Sequence, residues 1–199
     1  MEMARKNQEE ITRKGNPRKP QGEEGEQMLQ RMNESHAAVT QWALGFLNFG
    51  EEDRALDIGC GGGAALKKMS EKISKGHLTG VDYSPVSVEL SRETNAQDIQ
   101  NGKMNILEAS VEHLPFENES FDKIITVESF YFWPDPAENL KDIYQKEGLR
   151  ESVLENIKQY HLFNPTKEEF LRLFDQAGFT ETKIHTREGE DWICVEGKR

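Results

Sequence analysis

The residues that could do chemistry in this sequence begin with an acid followed by a cluster of glycines. Asp57 precedes Gly59, Gly61, Gly62 and Gly63 by a few positions. Glycine lets the backbone turn tightly and lets a ligand come close to it. A carboxylate just before such a loop would repel a pyrophosphate, whereas it would attract a ligand that carries an ammonium group. The stretch therefore indicates a nucleotide-type site for a ligand with a cationic part.

A second acid, Asp82, ends the strand predicted over residues 77–82. An acid at the end of the parallel strand that follows a glycine loop can accept hydrogen bonds from ribose hydroxyls. We expect Asp82 to be an exposed carboxylate at the end of its strand. The residues after Tyr83 predict a new helix, with Ser84 as its N-cap and Pro85 in its first position.

Alternating strands and helices must position these two acids. The apolar run over residues 55–58 predicts a buried strand, and an amphipathic helix follows the glycines. Further strands are predicted over residues 104–109 and 121–127, and a hairpin is predicted within 180–196. This order predicts an α/β fold with a mostly parallel sheet and an antiparallel last strand. In such sheets the ligand crevice lies at the carboxyl ends of the parallel strands.

The segment from Asp57 to Gly63 reads Asp-Ile-Gly-Cys-Gly-Gly-Gly. It resembles the first motif of the class I S-adenosylmethionine-dependent methyltransferases, which reads acidic, apolar, Gly, x, Gly, x, Gly. The resemblance covers residues 35–144 and 160–196 and is most specific over 55–133. It implies a three-layer, Rossmann-like methyltransferase fold. It also implies S-adenosylmethionine as the cofactor and transfer of its methyl group to a small molecule.

The same resemblance implies the residues of the cofactor site. Residues 110–116 resemble the loop that contacts the adenine edge in this family, usually Asp-Ala-x-x-Leu-Pro-Phe, with Ser110 where Asp is common. Tyr83 stands where the family often has a residue that packs on adenine. The contacts that the resemblance implies are Asp57, Gly59, Cys60, Gly61, Asp82, Tyr83, Ser110, Val111 and Val127. No metal ligand is implied.

The acceptor side is predicted at the end of the fourth strand, where Glu128 precedes the aromatic run 130–133. This run could form a dry wall around the reacting group, or it could be ordinary core, and both interpretations stay open. A general base is needed only if the acceptor must lose a proton. The candidates, in order, are Glu128, His36 and His161.

The length of the chain suits one methyltransferase domain over residues 23–199, preceded by a flexible N-terminal arm over residues 1–22. The fifth parallel strand of relatives has no counterpart near residues 145–152, which lead into a predicted helix over residues 153–157. Either a segment is missing from the sequence here, or the sheet lacks a central strand. We favour the first, because an empty central position would leave backbone groups on both neighbouring strands without partners.

Composition limits the partners and the compartment. A net charge of −11 would repel the phosphate backbone of nucleic acids. The chain has no apolar run of membrane-helix length and no signal peptide, so we expect a cytoplasmic protein without a membrane partner. Cys60 and Cys194 show no metal-ligand spacing and no disulfide framework. The sequence does not indicate an oligomeric state.

Two other functions remain open at this stage. A binding protein with a methyltransferase fold could hold the cofactor without turnover, which is supported by the missing strand and the lack of a clear base. A nicotinamide-dependent oxidoreductase is supported by the glycine spacing and by Asp82, since both also occur in dinucleotide-binding folds. Asp57 and the lack of a second βαβ half argue against the oxidoreductase.

Overall fold

The computed structural model describes residues 13–146, 151–157 and 165–199. A short 3₁₀ helix spans Phe130–Phe132. The helices are α1 (Gly22–Ser35), α2 (Ala37–Ala43), α3 (Ala64–Ser70), α4 (Pro85–Thr94), α5 (Ala96–Gln100), α6 (Pro136–Lys146) and α7 (Lys167–Ala177). The strands are β1 (Arg54–Ile58), β2 (His77–Asp82), β3 (Met104–Glu108), β4 (Lys123–Thr126), β5 (Glu151–Ile157), β6 (Thr180–Thr186) and β7 (Trp192–Lys198).

The strands form one sheet in the order β3-β2-β1-β4-β5-β7-β6. The first five strands in this order are parallel to one another, and β7 runs antiparallel to both β5 and β6. The order reverses direction at β1, where the chain leaves to form β2 and later returns beside β1 as β4. The fold is therefore the three-layer, Rossmann-like arrangement with an antiparallel last strand that the sequence predicts.

The helix predicted over residues 153–157 is wrong, because this segment is strand β5. β5 lies between β4 and β7, and it pairs with β4 at Ile125↔Val153 and Thr126↔Leu154. Its pairing with β7 runs from Glu151↔Lys198 to Ile157↔Trp192. Apolar residues at 153, 154 and 157 fit a helical stripe as well as a strand buried on both sides. The segment forms a strand because a helix would leave the backbone groups of β4 and β7 without partners. β5 thus fills the central position of the sheet.

Helices cover both faces of the sheet, and alternate residues of each strand point to opposite faces. Leu56 and Ile58 of β1 belong to the core with α6 and α7, whose buried aromatic residues Phe170 and Phe174 fill that side. Ala55 belongs to the core on the other face, with α2, α3 and α4. The two cores hold β1 rigidly, so the loop after β1 starts from a fixed point.

The described part of the N-terminal arm, residues 13–21, is docked on the domain. The hydroxyl of Ser84 donates a hydrogen bond of 2.7 Å to the carbonyl of Pro20. The same hydroxyl accepts from the backbone N–H of Ser87 and so forms the predicted N-cap of α4. An N-cap uses the hydroxyl oxygen as an acceptor and leaves the hydroxyl hydrogen free to donate. In Ser84 this hydrogen bonds the arm at Pro20.

Candidate functional site

A cavity of about 250 Å³ opens at the carboxyl ends of β1, β2, β3 and β4. The nine residues predicted to contact the cofactor all line it, from Asp57 to Val127. Glu128 and His36, two of the three candidate bases, line it as well. His161, the third, lies outside the described residues. The sheet thus brings together side chains from four separate loops, as parallel topology requires.

The glycine loop after β1 is held against the end of β2. The backbone N–H groups of Gly59 and Cys60 both donate to the carbonyl of Val81, at 2.8 and 3.0 Å. Gly59 has a φ of 73°, where a side chain is strained. A Cβ at Gly59 would lie 2.5 Å from the hydroxyl oxygen of Ser129. Glycine is needed here because the loop turns sharply and passes very close to the segment after β4.

Asp57 is buried to 1% exposure, and it lines the cavity. Neither of its carboxylate oxygens has a hydrogen-bond partner among the residues that the structure describes. Burial, and then the nearby charge of Asp82, raise the pKa of Asp57 to about 8. An unpaired buried carboxylate is unstable as an anion unless a cation or a donor joins it. The residues present therefore fit a ligand that brings an ammonium group to this position.

Asp82 is buried to 8% exposure, so the expected exposed carboxylate at the end of β2 is wrong. One of its oxygens accepts the N–H of Gly61 at 3.0 Å, and the other accepts the N–H of Ser84 at 2.9 Å. Burial raises the pKa of Asp82, while the hydrogen bonds from Ser84 and Gly61 oppose that rise. Each carboxylate oxygen keeps a lone pair, so the side chain can still accept hydroxyl groups of a ligand.

Tyr83 and the docked arm close one side of the cavity. The hydroxyl of Tyr83 donates to the carbonyl of Arg18, and the ammonium group of Lys19 lies 5.2 Å from the centre of the Tyr83 ring. Pro17, Arg18 and Pro20 line the cavity next to Tyr83. The sequence does not predict this contribution from the arm, because the partners are far apart in the chain.

The loop after β3 supplies Ser110 and Val111 to the same cavity. The Ser110 hydroxyl accepts from the backbone N–H of Glu112 and donates to the Glu112 carboxylate, both at 3.2 Å. Glu112 therefore lies beside Ser110 and lines the cavity as well. Its carboxylate lies two positions after the aspartate position of the resembled loop.

Glu128 follows β4 on the opposite side of the cavity. It is 7% exposed, and its φ of 56° is a left-handed conformation that side chains other than glycine rarely adopt. Its Oε2 accepts a hydrogen bond of 3.1 Å from the Tyr131 hydroxyl. Its Oε1 has no partner among the described residues. Burial raises the pKa of Glu128 to about 7, against the hydrogen bond from Tyr131.

Part of the aromatic run after Glu128 forms a wall of the cavity. Phe132 and Trp133 line it, whereas Phe130 is fully buried in the core under α7. Tyr131 is buried beside this wall, where its hydroxyl donates a hydrogen bond to Glu128. His36, between α1 and α2, lines the same space, and burial lowers its pKa. Phe130 is thus ordinary core, whereas the wall that Phe132 and Trp133 would form around the reacting group stays a prediction.

Three polar residues that sequence reasoning missed hold the loops of the site. Ser129 donates to the carbonyl of Ile58 at 3.0 Å and accepts from the Trp133 indole at 3.3 Å. Asn33 donates to the carbonyl of Gly62 at 3.3 Å, and Asn95 donates to that of Gly63 at 3.1 Å. Each of these side chains comes from a distant element and donates a hydrogen bond to a backbone carbonyl in or next to the glycine loop. A turn in the sequence indicates such orphan groups but not which residue reaches them.

Among the residues that the structure describes, no group of three or more His, Cys, Asp or Glu side chains could hold a metal ion. In those same residues, none of the helices combines the length and the apolar character that crossing a bilayer requires.

Comparisons with known proteins agree with this geometry. Residues 56–146 match the family model described as "Methyltransferase domain". The chain is 28% identical over 152 residues to 2-methyl-6-phytyl-1,4-hydroquinone methyltransferase 2, chloroplastic, of Oryza sativa subsp. japonica. The aligned residues cover 70% of this chain and 42% of the rice protein. The chain thus spans less than half the length of the rice protein.

Two further proteins are matched over most of their length. The uncharacterized methyltransferase YdaC of Bacillus subtilis is 23% identical over 176 residues, which cover 84% of this chain and 95% of that protein. The crystal structure of a SAM-dependent methyltransferase from Aquifex aeolicus superposes with a TM-score of 0.60 at 15% identity, covering 96% of this chain and 97% of the other. The chain is therefore similar in sequence to methyltransferases, and it shares its fold with a SAM-dependent methyltransferase.

Proposed function

We propose that the cavity binds S-adenosylmethionine and that the chain transfers its methyl group to a small-molecule acceptor. The observation that carries this proposal is the buried, unpaired carboxylate of Asp57 beside a glycine loop. This combination suits a nucleoside ligand with an ammonium group. It does not suit a dinucleotide, whose pyrophosphate would face that carboxylate.

Five of the predicted contacts would each hold a part of the cofactor. Asp57 would pair with the ammonium group, and the lone pairs that remain on Asp82 would accept the ribose hydroxyls. Tyr83, Ser110 and Val111 line the cavity next to the docked arm, where they would border the adenine. When bound, the cofactor supplies an electrophilic methyl group on a positively charged sulfur.

The chain contributes alignment and a dry surface to this reaction. The rigid loops after β1 and β4 hold the two sides of the cavity together through Ser129. Holding a nucleophile and its target in line can contribute about 7–11 kcal/mol to lowering the barrier. Phe132 and Trp133 cover the acceptor side with apolar surface, which favours a small apolar acceptor. The rice relative, whose name specifies a phytyl hydroquinone, is a methyltransferase of that kind.

Isothermal titration calorimetry of the purified protein tests this proposal. We expect S-adenosylmethionine and S-adenosylhomocysteine to bind, and NAD to give no heat of binding under the same conditions. Binding of NAD in preference to both would contradict the proposal and favour an oxidoreductase. The missing strand no longer supports a protein without turnover, because β5 fills that position. The cytoplasmic location stays a prediction.

The Asp82→Asn variant should bind S-adenosylhomocysteine about 10- to 100-fold more weakly than the wild type. Asparagine loses the charge that strengthens hydrogen bonds from the ribose, each worth about 1.5 to 3 kcal/mol. Asp82→Ala should also lower the free energy of unfolding by about 1–3 kcal/mol, because Gly61 and Ser84 lose their acceptor. Calorimetric titration and chemical denaturation measure the two effects.

Glu108→Ala is the matched control, because Glu108 pairs with Asp82 in register at the end of β3 but is exposed. It should change neither affinity nor stability appreciably. Equal affinity for S-adenosylhomocysteine in the wild type and in Asp82→Asn would remove the ribose assignment.

A further inference from the structure

Glu128 has features that holding the cofactor does not require. It lines the acceptor side of the cavity with Phe132, Trp133 and Pro134. Its Oε2 is held by the Tyr131 hydroxyl, while its Oε1 is buried without a partner among the described residues. We propose that the acceptor is an aromatic hydroxyl compound and that Glu128, positioned by Tyr131, takes the hydroxyl proton. This inference rests on the proposed methyl transfer.

The backbone of Glu128 supports a functional role. Its left-handed conformation, with a φ of 56°, persists only where the surrounding contacts hold it. Ser129, the next residue, is anchored to β1 through the carbonyl of Ile58 and to the cavity wall through the Trp133 indole. Strain of this kind, fixed by contacts on both sides, concentrates at sites that must present a side chain in one orientation.

The charge state of Glu128 suits proton transfer near neutral pH. Burial raises its pKa to about 7, and the hydrogen bond from Tyr131 opposes the rise. Both the ionised and the protonated forms are therefore populated at neutral pH, as an efficient general base requires. The other titratable groups that line the cavity are Arg18, His36, Asp57, Cys60, Asp82, Tyr83 and Glu112.

The class of acceptor follows from what Oε1 and the aromatic wall can accommodate. A phenolic O–H can donate to Oε1, and its ring can pack on Phe132 and Trp133. The O–H bond then breaks, the proton goes to the carboxylate of Glu128, and the electron pair stays on the acceptor as its nucleophile. A thioether or a tertiary amine has no such proton to give. A protonated amine would pair with the carboxylate and keep no free electron pair.

The first test uses 4-methylphenol, which keeps its hydroxyl proton at neutral pH, and its ether 4-methylanisole as probes of the protein loaded with S-adenosylhomocysteine. The ether has the same ring and lacks the acidic proton. At pH 7.5 or thereabouts, where Glu128 is largely ionised, we expect the wild type to prefer the phenol and Glu128→Gln to lose that preference by about tenfold. Affinity for the ether should stay the same in both. An unchanged preference, or tighter binding of benzylamine than of the phenol, overturns the proposal.

A second test separates a role in proton transfer from a structural one. Removing the Tyr131 hydroxyl takes away the hydrogen bond that favours the ionised carboxylate, so Tyr131→Phe should raise the pKa of Glu128. Carboxyl ¹³C NMR titration should show the midpoint moving upward, and the pH at which phenol binding is strongest should move with it. An unchanged midpoint overturns the role of Tyr131.

S-adenosylhomocysteine affinity distinguishes failure of this inference from failure of the proposed function. If the wild type and Glu128→Gln bind S-adenosylhomocysteine equally well and neither prefers the phenol, only the assignment of the acceptor fails. If the wild type does not bind S-adenosylhomocysteine, the proposed function fails with it.

Discussion

Without ligand, the free energy of unfolding of the wild type should fall relative to that of Asp57→Asn as the pH rises from about 4 to 8. The expected slope is about 1.4 kcal/mol per pH unit. The folded protein holds a proton on Asp57 because burial raises its pKa to about 8, whereas the unfolded chain releases it near the ordinary value. The stabilising contribution is therefore complete below the unfolded pKa and is lost as the pH rises through the folded one. Asparagine cannot ionise and removes this dependence.

Chemical denaturation at several pH values, without ligand, measures this difference. Asp175→Asn is the control, since Asp175 is an exposed acid on α7, and its denaturation curves should follow those of the wild type. The same Asp57→Asn variant should bind S-adenosylhomocysteine weakly, because the ammonium group loses its partner. Parallel pH curves for the wild type and Asp57→Asn would mean that the carboxylate is already paired in the free protein.

Gly59→Ala should destabilise the fold by about 2–5 kcal/mol, more than the same change at Gly102. Both glycines have a φ of 73°, so the cost of a side chain in the left-handed region, about 1–2 kcal/mol, is common to them. A Cβ at Gly102 meets nothing within 4 Å, whereas one at Gly59 would lie 2.5 and 2.6 Å from the Oγ and Cβ of Ser129. Overpacking of this kind adds about 1–3 kcal/mol.

Urea denaturation of the two variants gives the clash energy as their difference. Because both the Cβ and the Oγ of Ser129 are in the way, Ser129→Gly should recover part of the loss in a Gly59→Ala background, and Ser129→Ala should recover less. Equal losses for Gly59→Ala and Gly102→Ala would show that the loop can move away from Ser129. Calorimetry should also show weaker binding of S-adenosylhomocysteine by Gly59→Ala, since the loop lines the cavity.

The sequence could predict strands β1 to β4 because their signals are local. The run before the glycines and the cap at Ser84 each depend on residues only a few positions apart, and the structure confirms the cap. The residues predicted to contact the cofactor lie together because parallel strands end at one edge, although their individual roles remain predictions.

What the sequence could not predict depends on contacts between distant segments. Residues 153–157 form a strand because β4 and β7 lie on either side of them. The spacing of the apolar residues in this segment alone fits a helix equally well. The burial of Asp82 follows from the glycine loop folding back onto it. The arm is docked through the hydroxyl hydrogen of Ser84, which the N-cap does not use. No pattern in the sequence indicates where this hydrogen is donated.

The narrow pairing between β4 and β5 is the place where we expect the sheet to open into two units. β5 shares two residue pairs with β4 but is paired along its whole length with β7. The residues that line the cavity all precede position 135 and so lie on the β4 side of this line. An opening along the line would detach β5, β6 and β7 while leaving the described cavity formed. Ligand binding should therefore slow amide exchange in β1 and β2 strongly and leave exchange in the β6–β7 hairpin nearly unchanged.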